Sequence, residues 1–334
     1  MMMFFTLFLH SFLPADMRHP AKGNQTMISE FILLGFSDDP KQQPFIFGLF
    51  FFMYLISVLG NLLIILAIRF DSHLHTPMYF FLSKLSFVDL CLTTTTLPKM
   101  LLNIQTQKKT ISYAGCLTQI YFLILFAYMD SFLLTAMAFD RYMAICHPLH
   151  YTTAVSPQLC VFLVAGSWFI TFLHSLLHTV MAARLFFCGD NEIPHFYCDL
   201  TPLLKLSCSD ISTNEVLIFT VAVLLGLAPA MCIVVSYICI VSAVLKIPSA
   251  EGKRKAFSTC GSHLTVVTLF YGAGMGVHIQ PSSIQSKLED LLASVLYTVV
   301  TPMLNPFIYS LRNKDVKAAL RKLFSCETIP TQKL

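Results

Sequence analysis

The sequence predicts an all-α membrane protein, a seven-transmembrane helix bundle with a short amphipathic helix after span seven. The chain of 334 residues is 56% hydrophobic and only 12% charged, with a mean hydropathy of +0.69, whereas a soluble domain carries about 25% charged residues. Seven nearly uncharged runs follow one another, at roughly 45–68, 78–101, 114–139, 158–180, 216–244, 257–280 and 290–310. Each reaches the length of about 20 apolar residues that crosses the hydrocarbon core as a helix, the form that satisfies every backbone group internally. The alternating strands of about ten residues that a membrane barrel needs are absent.

Lys and Arg in the short loops set the orientation. With the amino terminus outside, Arg69, Arg141, Lys246, Lys253, Arg254, Lys255 and the basic tail fall on the cytoplasmic side. The chain then divides into an extracellular terminus at 1–44, a seven-span domain at 45–310, and a cytoplasmic helix and tail at 311–334. A net charge of +4, so dispersed, argues against nucleic acid as a partner. Met1–Pro14 is apolar but short, with no basic residue ahead of it, and makes a poor signal peptide. Met17 and Met27 offer alternative starts, and the first twenty or so residues read as an upstream extension with no assigned function. Asn24 opens the one glycosylation sequon and lies outside. So do Cys116, Cys188, Cys198 and Cys208, which allow three pairings; the other seven cysteines lie in spans or inside, where thiols stay reduced.

Each span carries a mark. Span one holds Gly60-Asn61, a small residue for close helix approach and a polar one that needs an internal partner. Span two follows Pro77; its Lys84 snorkels from near the inner end, while Asp89 lies deeper, where an acid marks function. Span three starts after Cys116, contains Asp130 as its one formal charge, and ends at Asp140-Arg141-Tyr142, where hydrocarbon gives way to water. That ending reads as a switch, in which Asp140 holds Arg141 at rest and its release opens a cytoplasmic crevice. Span four carries the single tryptophan, Trp168, as a packing residue. A long outer loop at about 181–213 follows. Span five contains Pro229 and ends with Ser236-Tyr237, and span six is preceded by Lys253-Arg254-Lys255. Span seven holds Asn305-Pro306-Phe307-Ile308-Tyr309, a proline kink and hinge. Beyond it Val316, Leu320, Leu323 and Phe324 share one helical face and cations fill the other, as in a helix lying on an anionic lipid leaflet, with Cys326 placed for acylation.

Asn61, Asp89, Asp130 and Asn305 stand at compatible depths in four spans and can satisfy one another, with water or a sodium ion beside Asp89 and Asp130. Together with Asp140-Arg141-Tyr142, Tyr237 and Tyr309 at the inner ends of spans three, five and seven, this resembles a rhodopsin-like G-protein-coupled receptor from about Asn24 to Phe324. Five longer stretches in order narrow the resemblance to the odorant receptors of tetrapod type (class II). They are Pro77 to Asp89 (PMYFFLSKLSFVD), Met137 to Tyr151 (MAFDRYMAICHPLHY), Ser236-Tyr237, Lys255 to Leu264 (KAFSTCGSHL) and Pro302 to Asn313 (PMLNPFIYSLRN). Phe139 and Gly261 stand where the family often has Tyr and Ser, and the amino terminus is longer than usual.

The resemblance implies disulfides Cys116–Cys198 and Cys188–Cys208, which would pin the long loop as a lid. It also implies an outer cavity lined by Leu123, Ile124, Ala127, Tyr128 and Ser131 of span three and Val221, Ala222 and Leu225 of span five. Tyr271, Gly274, Met275 and His278 would complete it from span six, with Ser294, Val295 and Thr298 from span seven. Leu123 stands where amine receptors of the superfamily carry an acid, so the expected ligand is a small, volatile, mostly neutral molecule. Burial at about 25 cal/mol per Å² gives such a molecule only a few kcal/mol, hence micromolar or weaker affinity and broad tuning. The implied partner is a stimulatory G protein of olfactory type that raises cyclic AMP, with Tyr271 as the relay towards Arg141, in a plasma membrane such as that of olfactory cilia. His195-Phe-Tyr-Cys198-Asp199 matches a stretch proposed to bind metal in some family members, but a disulfide at Cys198 removes the thiolate, so His195 is expected to fix the loop and no metal is expected. No internal repeat or matched pair of broken helices speaks for a transporter. No HExxH pair, phosphate loop or nucleophile elbow speaks for an enzyme. A chemoreceptor working outside the nose would share all these features.

Overall fold

The computed structural model describes residues 29–37, 39–278 and 287–325, without the side chains at 255, 258–259, 275–278, 287, 311–312 and 324–325. Asn24, Cys326, most of the extracellular terminus and the side chains of Met275, His278 and Phe324 therefore lie outside the described residues.

Six helices are long and apolar enough to cross a membrane: Gln43–Phe70 (span one), Pro77–Thr106 (two), Tyr113–Cys146 (three), Pro157–Ala183 (four), Ser212–Leu245 (five) and Leu288–Ser310 (seven). The helix Ala250–His278, long enough to span but more polar, is the sixth in chain order. Local chemistry starts these helices where the sequence expects. Pro77 and Pro157 occupy first turns, where a missing N–H costs nothing. Ser112 and Ser156 cap spans three and four by accepting from the N–H of Gly115 and Leu159. Inside span two, Thr93, Thr94 and Thr95 return their hydroxyls to the carbonyls of Asp89, Leu90 and Cys91, so a polar run stays satisfied in an apolar setting. Span five passes through a π-helical turn at Ala222–Leu227, and span seven through another at Leu296–Val300.

Span three is the axis of the bundle. It packs against spans two, four and five and buries residues along most of its length. Spans one, four and five instead turn large apolar side chains outward, Phe52, Phe162, Phe169, Phe219 and Ile238 among them, as the lipid-facing belt of a bundle must. Trp168 packs edge-on against Phe126, as its packing reading requires. Gly60 lets span one approach span seven, since a Cβ there would stand 3.2 Å from the Pro306 ring. After span seven, Lys314–Ser325 forms the expected amphipathic helix, with Val316 and Ala319 buried and Leu320 and Leu323 packed beside them. Two anchors fix it. Tyr79 accepts from Asn313 Nδ2 and donates to Asp315, and Lys322 pairs with Asp71 at 2.9 Å, holding that carboxyl down at about 2.

One feature departs from an all-helical reading. Glu30–Leu33 (β1), Thr110–Ser112 (β2) and Glu192–Ile193 (β3) form a small outer sheet in the order β2-β1-β3. β1 runs antiparallel to β2 and parallel to β3, so the extracellular terminus is threaded between the head of span three and the lid.

Candidate functional site

The lid is pinned as expected. Cys116–Cys198 and Cys188–Cys208 are both formed, with Cα separations of 5.3 and 5.9 Å. Buried Gln119 adds a third tie, donating to the Thr95 carbonyl at 2.9 Å and accepting from the Cys198 N–H at 2.8 Å. His195 fixes the loop to span seven through a 2.8 Å bond between Nε2 and Ser294 Oγ. Its Nδ1 is buried without a partner among the described residues, and burial pushes the imidazole down to about 3, so it is neutral.

Beneath the lid, Leu123, Ala127 and Ser131 are buried and Ile124 and Tyr128 half-buried on span three. On span seven Ser294 and Thr298 are buried and Val295 half-buried; on span five Val221 and Leu225 are half-buried and Ala222 is exposed, beside the π-turn. Gly274 of span six faces the Tyr297 ring, which a Cβ would meet at 3.7 Å. Ser131 and Tyr271 share a 2.8 Å hydrogen bond that joins spans three and six. Tyr128 meets His174 of span four edge-on at 4.5 Å, and His174 lies 4.6 Å from His178. Both ring nitrogens of His174 and the Ser175 hydroxyl are buried without a hydrogen bond among the described residues.

In mid-bundle, Asn305 Nδ2 donates to Asp89 at 2.8 Å, and Asn61 Nδ2 donates to the carbonyls of Ser57 and Pro302 at 3.0 and 3.1 Å. Spans one, two and seven thus meet through polar side chains, as their depths suggest. Asp130 lies within electrostatic reach of Asp89, but neither of its carboxyl oxygens has a hydrogen-bond partner among the described residues. Asn61 Oδ1 and Asn305 Oδ1 are likewise unpaired.

At the cytoplasmic end one reading is corrected. Asp140 makes no direct ion pair with Arg141 among the described residues, though Arg141 lies within electrostatic reach; its carboxylate accepts from Tyr151 of the second inner loop at 2.7 Å. Span three ends with both side chains on successive helix positions, which diverge by about 100°, and the loop phenol reaches the acid first. Tyr142 bonds His147 at 3.0 Å. The contact that joins the inner ends of spans three, five and six is a different one. Tyr237 donates to His263 Nδ1 at 2.8 Å, and His263 Nε2 donates to the Leu134 carbonyl at 3.1 Å. His263 is wholly buried and stands within the KAFSTCGSHL stretch, yet one histidine among eleven gives no sequence signal of that role. Arg141 lies within electrostatic reach of Tyr237, His263 and Tyr309, and the Tyr309 hydroxyl is buried without a partner among the described residues.

A helix bundle with a pinned outer lid, a polar mid-section and an Asp-Arg-Tyr inner end defines a rhodopsin-like G-protein-coupled receptor. Residues 50–327 match the family model described as "Olfactory receptor". The chain is 60% identical over 300 residues to "Olfactory receptor 1G1" of Gorilla gorilla gorilla, covering 90% of this chain and 96% of that one. It is 57% identical over 302 residues to "Olfactory receptor 1M1" of Mus musculus (90% and 96%) and 59% identical over 303 to "Olfactory receptor 7D2" of Homo sapiens (91% and 97%). The chain belongs to the olfactory receptor family. It is accordingly an odorant-sensing, G-protein-coupled receptor of the plasma membrane, crossing it several times, and not an enzyme.

Proposed function

We propose that this receptor binds small, volatile, mostly neutral molecules between spans three, five, six and seven, and passes the signal to a stimulatory G protein of olfactory type that raises cyclic AMP. The observation that carries the reading is the Ser131–Tyr271 bond. It bridges an apolar chamber without an acid at Leu123 and the span whose inner end is held by Tyr237 and His263. A ligand that prefers the state with this bond rearranged shifts the population towards an open inner face. Opening separates His263 from Tyr237 and Leu134 and uncovers Arg141 and Tyr309 for the G protein, with Asn305-Pro306 as hinge. In the resting state a sodium ion beside Asp89 and Asp130 fits the donor set, because Asp130 offers two buried oxygens and Asn305 a carbonyl, none with a protein partner. The amphipathic helix rests its cationic face on anionic inner-leaflet lipid.

A cyclic AMP reporter in cells expressing the receptor, screened against a few hundred volatiles, tests the reading. Neutral odorants should act at micromolar concentrations or above, and Tyr271→Phe should lower the response to them without lowering surface expression. A charged amine acting at nanomolar concentration would refute the ligand class, and a response carried by calcium alone would refute the G protein.

A further inference from the structure

Span four turns a polar face to the bundle and an oily face to lipid. Thr171, His174, Ser175, His178 and Thr179 are buried, while Phe169, Phe172, Leu173 and Leu177 on its other side are exposed. Polar residues on the inward face of a membrane helix ordinarily tie it to a neighbouring span. Thr171 and Thr179 instead return their hydroxyls at 2.8 Å to carbonyls one turn back in their own helix, as Ser167 does at 2.7 Å. Ser175 departs from that habit. Its buried hydroxyl has no hydrogen-bond partner among the described residues, and neither ring nitrogen of His174, a residue only 7% exposed, has one. Buried donors and acceptors left unmet are costly unless something else pairs with them. A metal ion does not suit the set, because no third His, Cys, Asp or Glu joins His174 and His178 among the described residues. The Tyr128 ring of span three stands edge-on against His174 at 4.5 Å. Tyr128 lies one turn outward of Ser131, whose hydroxyl bonds Tyr271.

We propose that His174 and Ser175, walled by Tyr128, form a polar subsite of the odorant chamber on span four, which takes the hydroxyl group of an alcohol or phenol. The inference rests on the odorant reading above and adds to it a further wall and a preferred functional group. A neutral imidazole carries one N–H donor and one lone pair, and a serine hydroxyl both gives and takes. The oxygen of a hydroxyl odorant donates to the lone pair of His174 while accepting from Ser175. An ether oxygen only accepts, so it leaves the imidazole lone pair unmet, and a hydrocarbon leaves both groups unmet. A site with buried polar groups rejects an analogue that lacks the matching group more strongly than a purely apolar pocket does. Hydroxyl odorants should therefore act at the lowest concentrations, ethers at higher ones and hydrocarbons at the highest.

The test is a cyclic AMP dose–response of the full-length receptor to two matched sets: 1-octanol, 1-methoxyheptane and octane, and benzyl alcohol, benzyl methyl ether and toluene. In at least one set the alcohol should be more potent than the ether by roughly fivefold, the span of one net hydrogen bond. His174→Leu and Ser175→Ala should each weaken the alcohol by roughly fivefold and move the ether and hydrocarbon less than about twofold. His174→Gln, which keeps a donor and an acceptor, should retain the preference. Surface expression is followed by antibody to an extracellular tag. If His174→Leu does not reach the surface, Ser175→Ala and His174→Gln decide. An alcohol no better than its ether in both sets overturns the subsite, as does a loss shared equally by all three probes, or a preference that survives in Ser175→Ala and His174→Leu. A receptor driven only by volatiles without a hydroxyl overturns the subsite and leaves the odorant reading standing. A receptor at the surface that answers no volatile fails the odorant reading, and this inference with it.

Discussion

Acid should open the lid through His195. The imidazole ionises near 6.5 in an unfolded loop but only near 3 in the closed lid, because it is buried. A group whose folded value is depressed in this way, here a base kept neutral, contributes stability that is present above the unfolded value and lost as pH falls through it. From pH 7.4 to 5.5 the loss is about 1.3 kcal/mol, or roughly tenfold in the ratio of closed to open lid. The geometry explains the sign. Nδ1 is already buried without an acceptor, so a second ring proton would sit there unpaired while Nε2 is committed to Ser294. Phe196 and Tyr197 pack against the ring and offer no carboxylate, and Asp199, the nearest acid in sequence, accepts from the Leu200 N–H. Hydrogen exchange of the nanodisc receptor, corrected for intrinsic pH dependence, reports the opening at the amides of Leu34 and Gly35, which donate to the Ile193 and His195 carbonyls at 3.0 and 3.1 Å. His195→Gln keeps a partner for Ser294 and removes the titration, so it should exchange alike at both pH values. An acid effect that survives in His195→Gln would show that another group titrates and would refute this account.

Other perturbations separate the remaining contacts. Arg141→Ala should abolish odorant-evoked cyclic AMP while surface expression, measured by antibody to an extracellular tag, persists. His263→Phe removes both bonds that join spans three, five and six, and at about 1 kcal/mol net per bond should raise ligand-free cyclic AMP several-fold. Gly60→Val should overpack span one against Pro306 and cost about 1–3 kcal/mol, seen as a lower unfolding midpoint of the purified receptor. Losing Cys116–Cys198, which closes a separation of 82 residues, should destabilise more than losing Cys188–Cys208, which closes 20; loop entropy gives about 4.5 against 3 kcal/mol, ranked by thermal unfolding of the two serine variants.

The spans were legible because lipid forces a long apolar helix wherever the chain crosses, so seven runs in the sequence become seven helices among the described residues, with ends shifted by up to about two turns. Asp89 and Asn305 were legible for a related reason, since a polar group in hydrocarbon needs a partner and each span supplies few. The outer sheet was not. Strands of two to four residues carry too little periodicity to read, and β1 is defined by backbone partners at Asn191 and Lys109, far away in sequence. The π-turn at Ala222–Leu227 inserts a residue into helical spacing, so a face counted at i, i+4 along span five drifts, and Ala222 ends exposed.

The inner end shows why residue identity alone misled about the latch. Adjacent Asp and Arg look like a pair, but neighbours on a helix point to different sides, and Asp140 is claimed by Tyr151. A resting lock must instead tie elements that separate on opening. Tyr237, His263 and Leu134 do this, one from each of spans five, six and three, and all three partners are buried. Their position makes the cost of opening depend on hydrogen bonds that water cannot replace while the crevice is shut. Arg141 lies within electrostatic reach of Tyr237 and His263, and the Tyr309 hydroxyl is buried with no hydrogen-bond partner among the described residues. On the proposed mechanism opening breaks these two hydrogen bonds, and the ligand-free activity of His263→Phe reports whether they hold the inner end shut.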